Sequence, residues 1–194
     1  MKIRFLFIIL LMSQLEAKQI EISIQKQKLY LSESGNLIKE YNISSSKHGE
    51  GSENGSYKTP LGKHKVKRMI GEGQPNGMRF IARVPNEVYP IYSEEKVFVN
   101  DDVVQSRIIW LTGLEEGINK GPGIDSYTRY IYIHGTPEEW LLGQKASKGC
   151  IRMSNSDVIE LFDLLEGNET VYILSLIHIS EPTRRYAISY AVFC

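Results

Sequence analysis

Short stretches in which apolar and polar residues alternate dominate this chain and constrain its fold more than any other feature. Ile20, Ile22 and Ile24 alternate with polar residues, which is the period of a strand with one buried face. Clusters of Gly, Pro and Asn separate similar stretches farther along the chain. Strands are therefore predicted at 20–24, 28–31, 37–43, 63–70, 129–134 and 171–173, and the second and third of these should form a hairpin.

Only one segment has clear helical spacing. Ser154, Asn155 or Ser156 can cap its N-terminus, and Gly167 provides a natural stop beyond its C-terminus. Its apolar positions recur at helical intervals: Val158, Leu161, Phe162 and Leu165. Residues 138–142 add at most one turn of helix. The predicted fold class is therefore mostly β, a β-sandwich or open barrel with one or two short packed helices.

Two segments lack a clear period. Residues 44–58 are polar and glycine-rich, which predicts a loop, and 59–62 predict a turn. Between 71 and 128, apolar residues form short pieces among Gly, Pro and Asn at 80–84, 97–99 and 108–112. We expect these pieces to be strands joined by long connections, one of which forms a lid over the functional site.

The N-terminal segment has the pattern of a secretory signal peptide. Lys2 and Arg4 precede the apolar run 5–12, and Ala17 offers a small residue for cleavage. The apolar run is far shorter than the ~20 residues that a transmembrane helix needs, so an uncleaved anchor is the weaker alternative. We expect removal of residues 1–17, export to the periplasm or cell envelope, and no stable transmembrane segment after cleavage.

Residues 174–194 resemble an in-frame translation of a sequencing-library adapter. The resemblance covers 174–184 and resumes at 188–194, in the order of the adapter itself. We therefore interpret this segment as an artefact tail and 18–173 as the functional domain. The alternative is a genuine C-terminal strand with a turn at 181–182.

The charge balance excludes a nucleic-acid footprint, which would need a basic face. The whole chain has 23 basic and 23 acidic side chains. The two terminal segments hold four of the basic and two of the acidic ones, so residues 18–173 have a net charge of −2.

The domain 18–173 keeps a single cysteine, Cys150. A lone thiol in an oxidising compartment is a candidate for reactivity. A disulfide with Cys194 is the alternative if the tail is genuine.

Cys150 and His134 are the candidate nucleophile and base. His134 ends a predicted strand, and Cys150 lies just before the predicted helix. Acyl transfer by a thiol needs a base and donors for the oxyanion. Gly149 leaves room for a substrate carbonyl to approach the backbone N–H groups. Lys148 and Arg152 are expected to lower the pKa of the thiol and populate the thiolate.

Each of these residues also has a plainer interpretation. A lone cysteine is more often a small apolar residue of the core, and a strand-end histidine is more often structural. A zinc site is not predicted, because no second cysteine or histidine lies near Cys150 to complete four ligands. No cofactor is implied.

Two motifs resemble the signature of the YkuD-type L,D-transpeptidase catalytic domain. One is His134-Gly-Thr-Pro, and the other is Ala-Ser-Lys-Gly-Cys-Ile-Arg-Met at 146–153. The family pattern is a histidine–glycine pair followed by Ser/Thr-His-Gly-Cys, an aliphatic residue, and Asn or Arg. The turn at 59–62, the predicted helix and the last strand also fit. The resemblance thus spans roughly 20–173 and implies a fold of the L,D-transpeptidase type.

The resemblance implies a cysteine acyl-transferase that acts on peptidoglycan stem peptides. Cys150 would attack the carbonyl of the third stem residue, a diamino acid, and release the terminal D-amino acid. An amine from another stem or from an anchored lipoprotein would then take the thioester. His134 would be the base, with its tautomer held by the Gly135 carbonyl. The N–H groups of Gly149 and Cys150 would bind the oxyanion, and Ser147 would orient the loop.

One position departs from the family pattern, which usually has a histidine where this chain has Lys148. The base assignment to His134 stands, because the missing histidine is the second of the motif. Arg152 is expected to pair either with a substrate carboxylate or with a nearby acid. The alternatives to transpeptidation are L,D-carboxypeptidation, in which water takes the thioester, and a degenerate domain that binds wall peptide without turnover. A carbapenem is expected to acylate Cys150.

Overall fold

Residues 18–175 are described by the computed structural model, and strands make up most of their regular structure. The strands are β1 (Lys18–Ser23), β2 (Lys28–Glu33), β3 (Asn36–Asn42), β4 (Gly62–Ile70), β5 (Met78–Ile81), β6 (Val84–Val88), β7 (Val104–Gly113), β8 (Tyr132–Gly135), β9 (Ile151–Met153) and β10 (Thr170–Leu174). The helical elements are α1 (Asn155–Leu164) and one 3-10 turn at Glu139–Leu141. The prediction of a mostly β fold with one or two short helices is confirmed.

All of these strands belong to one mixed sheet that does not close into a barrel. Its main path runs β3-β2-β1-β10-β4-β7-β5-β6, while β8 pairs with β7 and with β9. The β1–β10 and β8–β9 pairs are parallel. At Gln105, β7 has partners on both edges, namely Arg79 of β5 and Gly135 of β8. The register then shifts before Ile108, a bulge that includes Ser106 in the left-handed region with φ +61°.

The main apolar core lies between the sheet and α1. Ile133 of β8 and Ile151 of β9 belong to it, together with the buried face of α1. Because side chains alternate along a strand, the neighbours of these isoleucines point to the opposite face. Those neighbours are Tyr132, His134, Cys150 and Arg152. A smaller apolar cluster consists of Phe80, Ile108, Trp110 and Tyr132. Cys150 packs against this cluster.

The predicted helix forms with the cap that the sequence indicates. The Oγ atom of Ser154 accepts a hydrogen bond from the backbone N–H of Asp157 at 3.1 Å. Leu161 and Phe162 are buried against the sheet. Gly167 follows the helix with φ +93°, a conformation that glycine adopts readily. α1 therefore packs as its apolar spacing predicts.

The predicted strands at 63–70 and 171–173 lie within β4 and β10, and the predicted hairpin is formed by β2 and β3. β10 extends one residue farther than predicted, because Leu174 pairs with Ser23 and its carbonyl accepts from the N–H of Ile24 at 2.9 Å. The first residue of the predicted tail therefore completes the last strand.

Three strand predictions are wrong as they stand. Residues 80–84 are not one strand, because Ala82 and Arg83 turn the chain between β5 and β6 with φ +49° and +70°. Residues 97–99 form no strand, because their backbone groups bond the side chains of other segments instead. The segment 129–134 becomes a strand only at Tyr132, since the residues before it form a turn.

Two predictions concern segments outside the described residues. The signal peptide at 1–17 and residues 176–194 of the predicted tail both fall there. Among residues 18–175, no helix has the length and apolar character needed to span a membrane.

Candidate active site

His134 and Cys150 lie on the same face of neighbouring strands. In the parallel β8–β9 pair, Ile133 lies opposite Ile151, and His134 lies opposite Arg152. Cys150 directly precedes β9, so it is a diagonal neighbour of His134 on the face that points away from α1. Strand register therefore brings together the two residues that the sequence singles out.

The His134 side chain is fully buried and held in one tautomer. Its Nδ1 atom lies 2.8 Å from the carbonyl oxygen of Gly135. Since a carbonyl only accepts, Nδ1 carries the proton and Nε2 keeps its lone pair. Nε2 is buried without a hydrogen-bond partner among the described residues. Burial lowers the pKa of His134, so the imidazole is neutral and Nε2 is free to accept a proton.

The thiol of Cys150 is held by the backbone of the turn before β8. The N–H of Tyr132 points to Sγ at 3.4 Å, and the Tyr130 carbonyl oxygen lies 3.3 Å from Sγ. The residue is partly exposed, and the sulfur packs beside the smaller apolar cluster. An S–H group that donates to the Tyr130 carbonyl fits this arrangement, which indicates a protonated resting thiol.

Neighbouring groups act on the pKa of the Cys150 thiol in opposite directions, and of the two cations singled out in the sequence Arg152 lowers it. That these cations populate the thiolate stays a prediction. Burial raises the pKa of the Cys150 thiol to about 12, and the carboxylate of Asp102 adds to the rise. The Tyr132 N–H and the guanidinium groups of Arg152 and Arg129 act in the opposite direction but do not outweigh burial. His134 is therefore a neutral imidazole, and the contact of Cys150 Sγ with the Tyr130 carbonyl is that of a protonated S–H group.

The loop before Cys150 is fixed by hydroxyl groups. Ser147 Oγ donates to the carbonyl of Cys150 at 2.6 Å and accepts from the N–H of Gly149 at 3.3 Å. Thr59 Oγ1 donates to the Gly149 carbonyl at 3.0 Å. Gly149 has φ +123°, which a residue with a Cβ rarely adopts. The Ser147 hydroxyl therefore braces this loop, and Thr59, which bridges to Glu50 in the segment before β4, contacts the loop through its own hydroxyl.

Arg152 does not present its guanidinium to a free substrate site. It is almost fully buried, and Nε bonds Oδ1 of Asp102 at 2.9 Å. Its Nη2 atom also pairs with Asp102, and Nη1 lies 2.9 Å from Oε2 of Glu138. Of the two expectations for Arg152, the structure favours the pairing with nearby acids over the pairing with a substrate carboxylate.

Lys148, which replaces the usual histidine of the motif, is exposed. Its charge acts on the carboxyl of Asp102 rather than on the thiol. Burial opposes ionisation of Asp102, but Arg152, followed by His134 and Lys148, holds the pKa of this carboxyl below its usual value. Asp102 is therefore an anion beside the site.

The coil 97–103 lies beside the site and carries Asp102. The Val99 N–H donates to Glu138 at 3.1 Å, and the Trp140 indole donates to the Val97 carbonyl at 3.0 Å. Phe98 stacks edge-on against Trp140 with ring centroids 4.8 Å apart. That this coil is the lid expected among residues 71–128 stays a prediction.

The sequence match to a known family covers the whole of this arrangement. The model of the L,D-transpeptidase catalytic domain matches residues 17–173. The chain belongs to this family. Members of the family are cell-envelope enzymes that act on peptidoglycan stem peptides. No curated protein sequence matches the chain.

Solved L,D-transpeptidases resemble this domain in fold. L,D-transpeptidase 3 from Mycobacterium tuberculosis, in complex with a faropenem-derived adduct, is 16% identical with a TM-score of 0.50, over 81% of this chain and 60% of that chain. An L,D-transpeptidase from Xylanimonas cellulosilytica is 19% identical with a TM-score of 0.46, over 82% and 61% of the two chains. One from Mycobacterium smegmatis is 12% identical with a TM-score of 0.49, over 82% and 59%. The L,D-transpeptidase domain described here thus spans 59–61% of the length of these proteins.

Several residues around the thiol of this L,D-transpeptidase domain were not predicted from the sequence. Asp102 and Glu138 surround Arg152, and Tyr130 and Tyr132 hold Sγ through their backbone. Asp102 is 50 residues from Arg152 along the chain, so no local pattern links them. A signal did exist for the tyrosines, because they lie directly before His134 in a strongly aromatic segment.

Proposed function

We propose that this chain is a cysteine-dependent L,D-transpeptidase that acts on peptidoglycan stem peptides through a thioester on Cys150. The observation that carries the proposal is the neutral pair formed by His134 and Cys150. A buried imidazole with a free Nε2 lone pair is a diagonal neighbour of a partly exposed thiol, in a chain of the L,D-transpeptidase family.

In the acylation step, Sγ attacks the carbonyl carbon of the third stem residue while His134 Nε2 takes the thiol proton. The C–S bond forms, the carbonyl oxygen becomes an oxyanion, and the C–N bond to the terminal D-amino acid then breaks. The imidazolium returns its proton to the leaving amine. The result is a thioester on Cys150, a free D-amino acid and a neutral His134.

In the deacylation step, an amine attacks the thioester carbonyl and gives its proton to His134. The new C–N bond of the amide forms, the C–S bond breaks, and the proton returns from His134 to sulfur. An amine from another stem gives a crosslink, and an amine from an anchored lipoprotein gives attachment to the wall. The alternative acceptor is water, which gives L,D-carboxypeptidation by the same steps. Cys150, His134 and Gly135 have the same roles in each case.

The oxyanion requires backbone donors near Sγ. Gly149 was expected to supply one, but its N–H already donates to Ser147 Oγ. We therefore assign the N–H of Cys150 as the principal donor, with the Gly149 N–H joining it if the Ser147 hydroxyl turns away. Lys148, exposed beside the loop, contributes positive charge at the rim of the site.

Residues 1–17 support export, because their charge and apolar pattern is that of a signal peptide. The substrate of the family lies outside the cytoplasmic membrane, in the periplasm or cell envelope. Export and substrate are therefore consistent, and an exported enzyme of this class contributes to cell wall biogenesis and cell shape.

Incubation of the purified protein with muropeptides that carry tetrapeptide stems tests the proposal. Crosslinked dimers with release of the D-amino acid indicate transfer, and tripeptides indicate carboxypeptidation. The Cys150→Ala variant should form neither product, while the exposed Lys148→Met variant should keep the reaction. Unchanged substrate with the unsubstituted protein would support the degenerate binding domain instead.

A carbapenem should also acylate Cys150, as the sequence resemblance implies. Intact-mass spectrometry of the folded protein is expected to show one adduct, which Cys150→Ala abolishes. The M. tuberculosis protein of similar fold is described with a faropenem-derived adduct. A folded, unsubstituted protein that forms no adduct would contradict the assignment of the nucleophile.

A further inference from the structure

Arg83 occupies a turn position that an arginine disfavours. It is the second residue of the two-residue turn between Ile81 of β5 and Val84 of β6, and its φ is +70°. Ala82 before it also has a positive φ, of +49°. Turns of this kind favour Asn-Gly, because glycine adopts positive φ without strain. The side chain of Arg83, rather than its backbone, must account for an arginine at this position.

The Arg83 side chain folds back onto the aromatic residues beside the site. Its guanidinium lies 4.8 Å from the ring centroid of Tyr130 and 5.1 Å from that of Trp110. Its Nη1 atom donates to the hydroxyl of Tyr132 at 3.2 Å. No acidic side chain of residues 18–175 forms an ion pair with it. Most of its N–H donors are therefore available to a ligand.

The same aromatic residues hold the nucleophile. The Tyr132 N–H points to Cys150 Sγ at 3.4 Å, and the Tyr130 carbonyl accepts from Sγ at 3.3 Å. Arg83 thus rests on the side chains of the two residues whose backbones fix the sulfur. A partly exposed guanidinium therefore lies on the same aromatic residues that the sulfur contacts.

We infer that Arg83 binds a carboxylate of the stem peptide and positions the scissile carbonyl at Cys150. This inference rests on the proposed function. The stem ends in a carboxylate one residue beyond the scissile bond, and the diamino acid offers a second one if its side chain ends in a carboxyl. A guanidinium fork matches a carboxylate in two parallel hydrogen bonds. Arg152, which the sequence suggested for this role, is already paired with Asp102 and Glu138.

The test is a binding measurement that does not depend on turnover. The Cys150→Ala protein is titrated by NMR with three compounds. The first is a disaccharide tetrapeptide. The second has a carboxamide in place of the carboxylate of its terminal D-residue, and the third has a carboxamide on the side chain of its diamino acid. The measurements are repeated in Cys150→Ala proteins that also carry Arg83→Gln or Arg83→Gly. Glycine suits φ +70°, so the second substitution removes the side chain without harm to the turn.

Arg68→Gln is the matched control. Arg68 also lies over the Trp110 ring, 5.8 Å from its centroid, and is exposed on β4. Its loss removes the same charge from the same ring, so it reports the effect of charge alone.

Arg83→Gln and Arg83→Gly should each weaken binding of the tetrapeptide by about tenfold or more, the loss expected when charge-assisted hydrogen bonds to a carboxylate are removed, and Arg68→Gln should not. One of the two carboxamide compounds should bind more weakly than the tetrapeptide when Arg83 is present, but not in the two Arg83 variants. The carboxylate that this compound lacks is the one that Arg83 binds. The inference would be overturned if all three compounds bound equally well to the Cys150→Ala protein that keeps Arg83. It would also be overturned if the Arg83 substitutions reduced the affinity for all three compounds by the same factor. Such a result leaves the proposed function intact if the unsubstituted enzyme still turns over muropeptides.

Discussion

At the scale of single residues, burial and, after it, opposing charges set the pKa of the Cys150 thiol. Asp102 raises the pKa of the thiol, whereas Arg152 and Arg129 lower it. Arg152 is itself held by Asp102, so one carboxylate both repels the thiolate and draws the nearest cation away from it. The charge of Asp102 therefore favours a protonated resting thiol.

Asp102→Asn is expected to make Cys150 more reactive toward iodoacetamide at pH 8. Removal of this anion lowers the pKa of the thiol, and alkylation accelerates about tenfold for each unit by which the pKa falls. Asp101→Asn is the matched control, because the Asp101 side chain is 78% exposed and pairs with Arg79 instead. The rate is measured by mass spectrometry of the alkylated protein. A slower reaction in Asp102→Asn would contradict the charge assignment.

Candidate site residues could be found from the sequence only where a motif marks them. Cys150, His134 and Ser147 occupy fixed places in a short pattern. The structure shows the contacts of His134 with Gly135 and of Ser147 with Cys150, and the catalytic roles stay predictions. The state of the thiol could not be predicted, because burial and Asp102 act through the tertiary fold. Lys148 and Arg152 are close to Cys150 in the sequence, so their charges could be taken into account. Asp102 is close to the thiol only in the folded protein, so its charge could not.

At the scale of elements, the segment before β4 supports the loop that carries the nucleophile. Thr59 Oγ1 donates to the Gly149 carbonyl at 3.0 Å and accepts from the Ser46 N–H at 3.1 Å. Both contacts are buried. One hydroxyl thus joins the segment after β3, the segment before β4 and the Cys150 loop.

Thr59→Val should lower the free energy of unfolding by about 1–3 kcal/mol, because it leaves a buried carbonyl and a buried N–H unpaired. It should also slow acylation of Cys150 by a carbapenem, since the loop loses its brace. Urea unfolding and intact-mass kinetics measure the two effects. Thr128→Val is the control, because the Thr128 hydroxyl makes a similar bond to the Asp125 carbonyl in an exposed position. Equal effects of the two substitutions would refute the bracing role of Thr59.

The coil 97–103 depends on the buried ion pairs of Arg152. Arg152→Met leaves the carboxylates of Asp102 and Glu138 without their cation and should destabilise the protein by about 3–5 kcal/mol. Lys145→Met removes the more exposed pair with Glu50 and should cost less than about 1 kcal/mol. Chemical denaturation measures the free energy of unfolding of the two variants. If the loss comes from unpaired carboxylates, adding Asp102→Asn and Glu138→Gln to Arg152→Met should restore part of the stability.

Elements were predictable where one period extends over the whole element. α1 agrees with its pattern, because an apolar stripe runs along it. β4 formed as predicted although its alternation is interrupted, since its register shifts between Val66 and Arg68. The β5–β6 hairpin was missed because Arg83 occupies a turn position without the glycine that normally marks it. β8 was predicted too long, since Tyr130 has the composition of a strand residue but adopts φ +59°.

At the scale of the whole molecule, the sheet joins distant parts of the chain. β10 lies between β1 and β4, so the first and last described strands are neighbours in the centre of the sheet. β4 in turn contacts the segment that leads to β8. The buried His64 of β4 makes this contact, with Nε2 3.0 Å from Ser126 Oγ and Nδ1 3.0 Å from the Gly62 carbonyl.

His64 makes the stability of the whole fold depend on pH. Burial lowers the pKa of His64 from 6.5 to about 4. As the pH falls below 6.5, the unfolded chain takes up a proton at this position, whereas the folded protein does not until the pH approaches 4. The stabilising contribution is therefore complete above pH 6.5 and is lost between these two values, a decrease of roughly 3 kcal/mol.

Urea unfolding at pH 7.5, 5.5 and 4.5 should show this loss in the unsubstituted protein. His64→Gln should be less stable at pH 7.5, because the buried contacts with Ser126 and Gly62 are disturbed, but its stability should change less between pH 7.5 and 4.5. Carboxylates that titrate in the same range affect both proteins alike, so the difference between the two curves isolates His64. If the free energy of unfolding changes with pH in the same way in both proteins, the lowered pKa of His64 in the folded protein is contradicted.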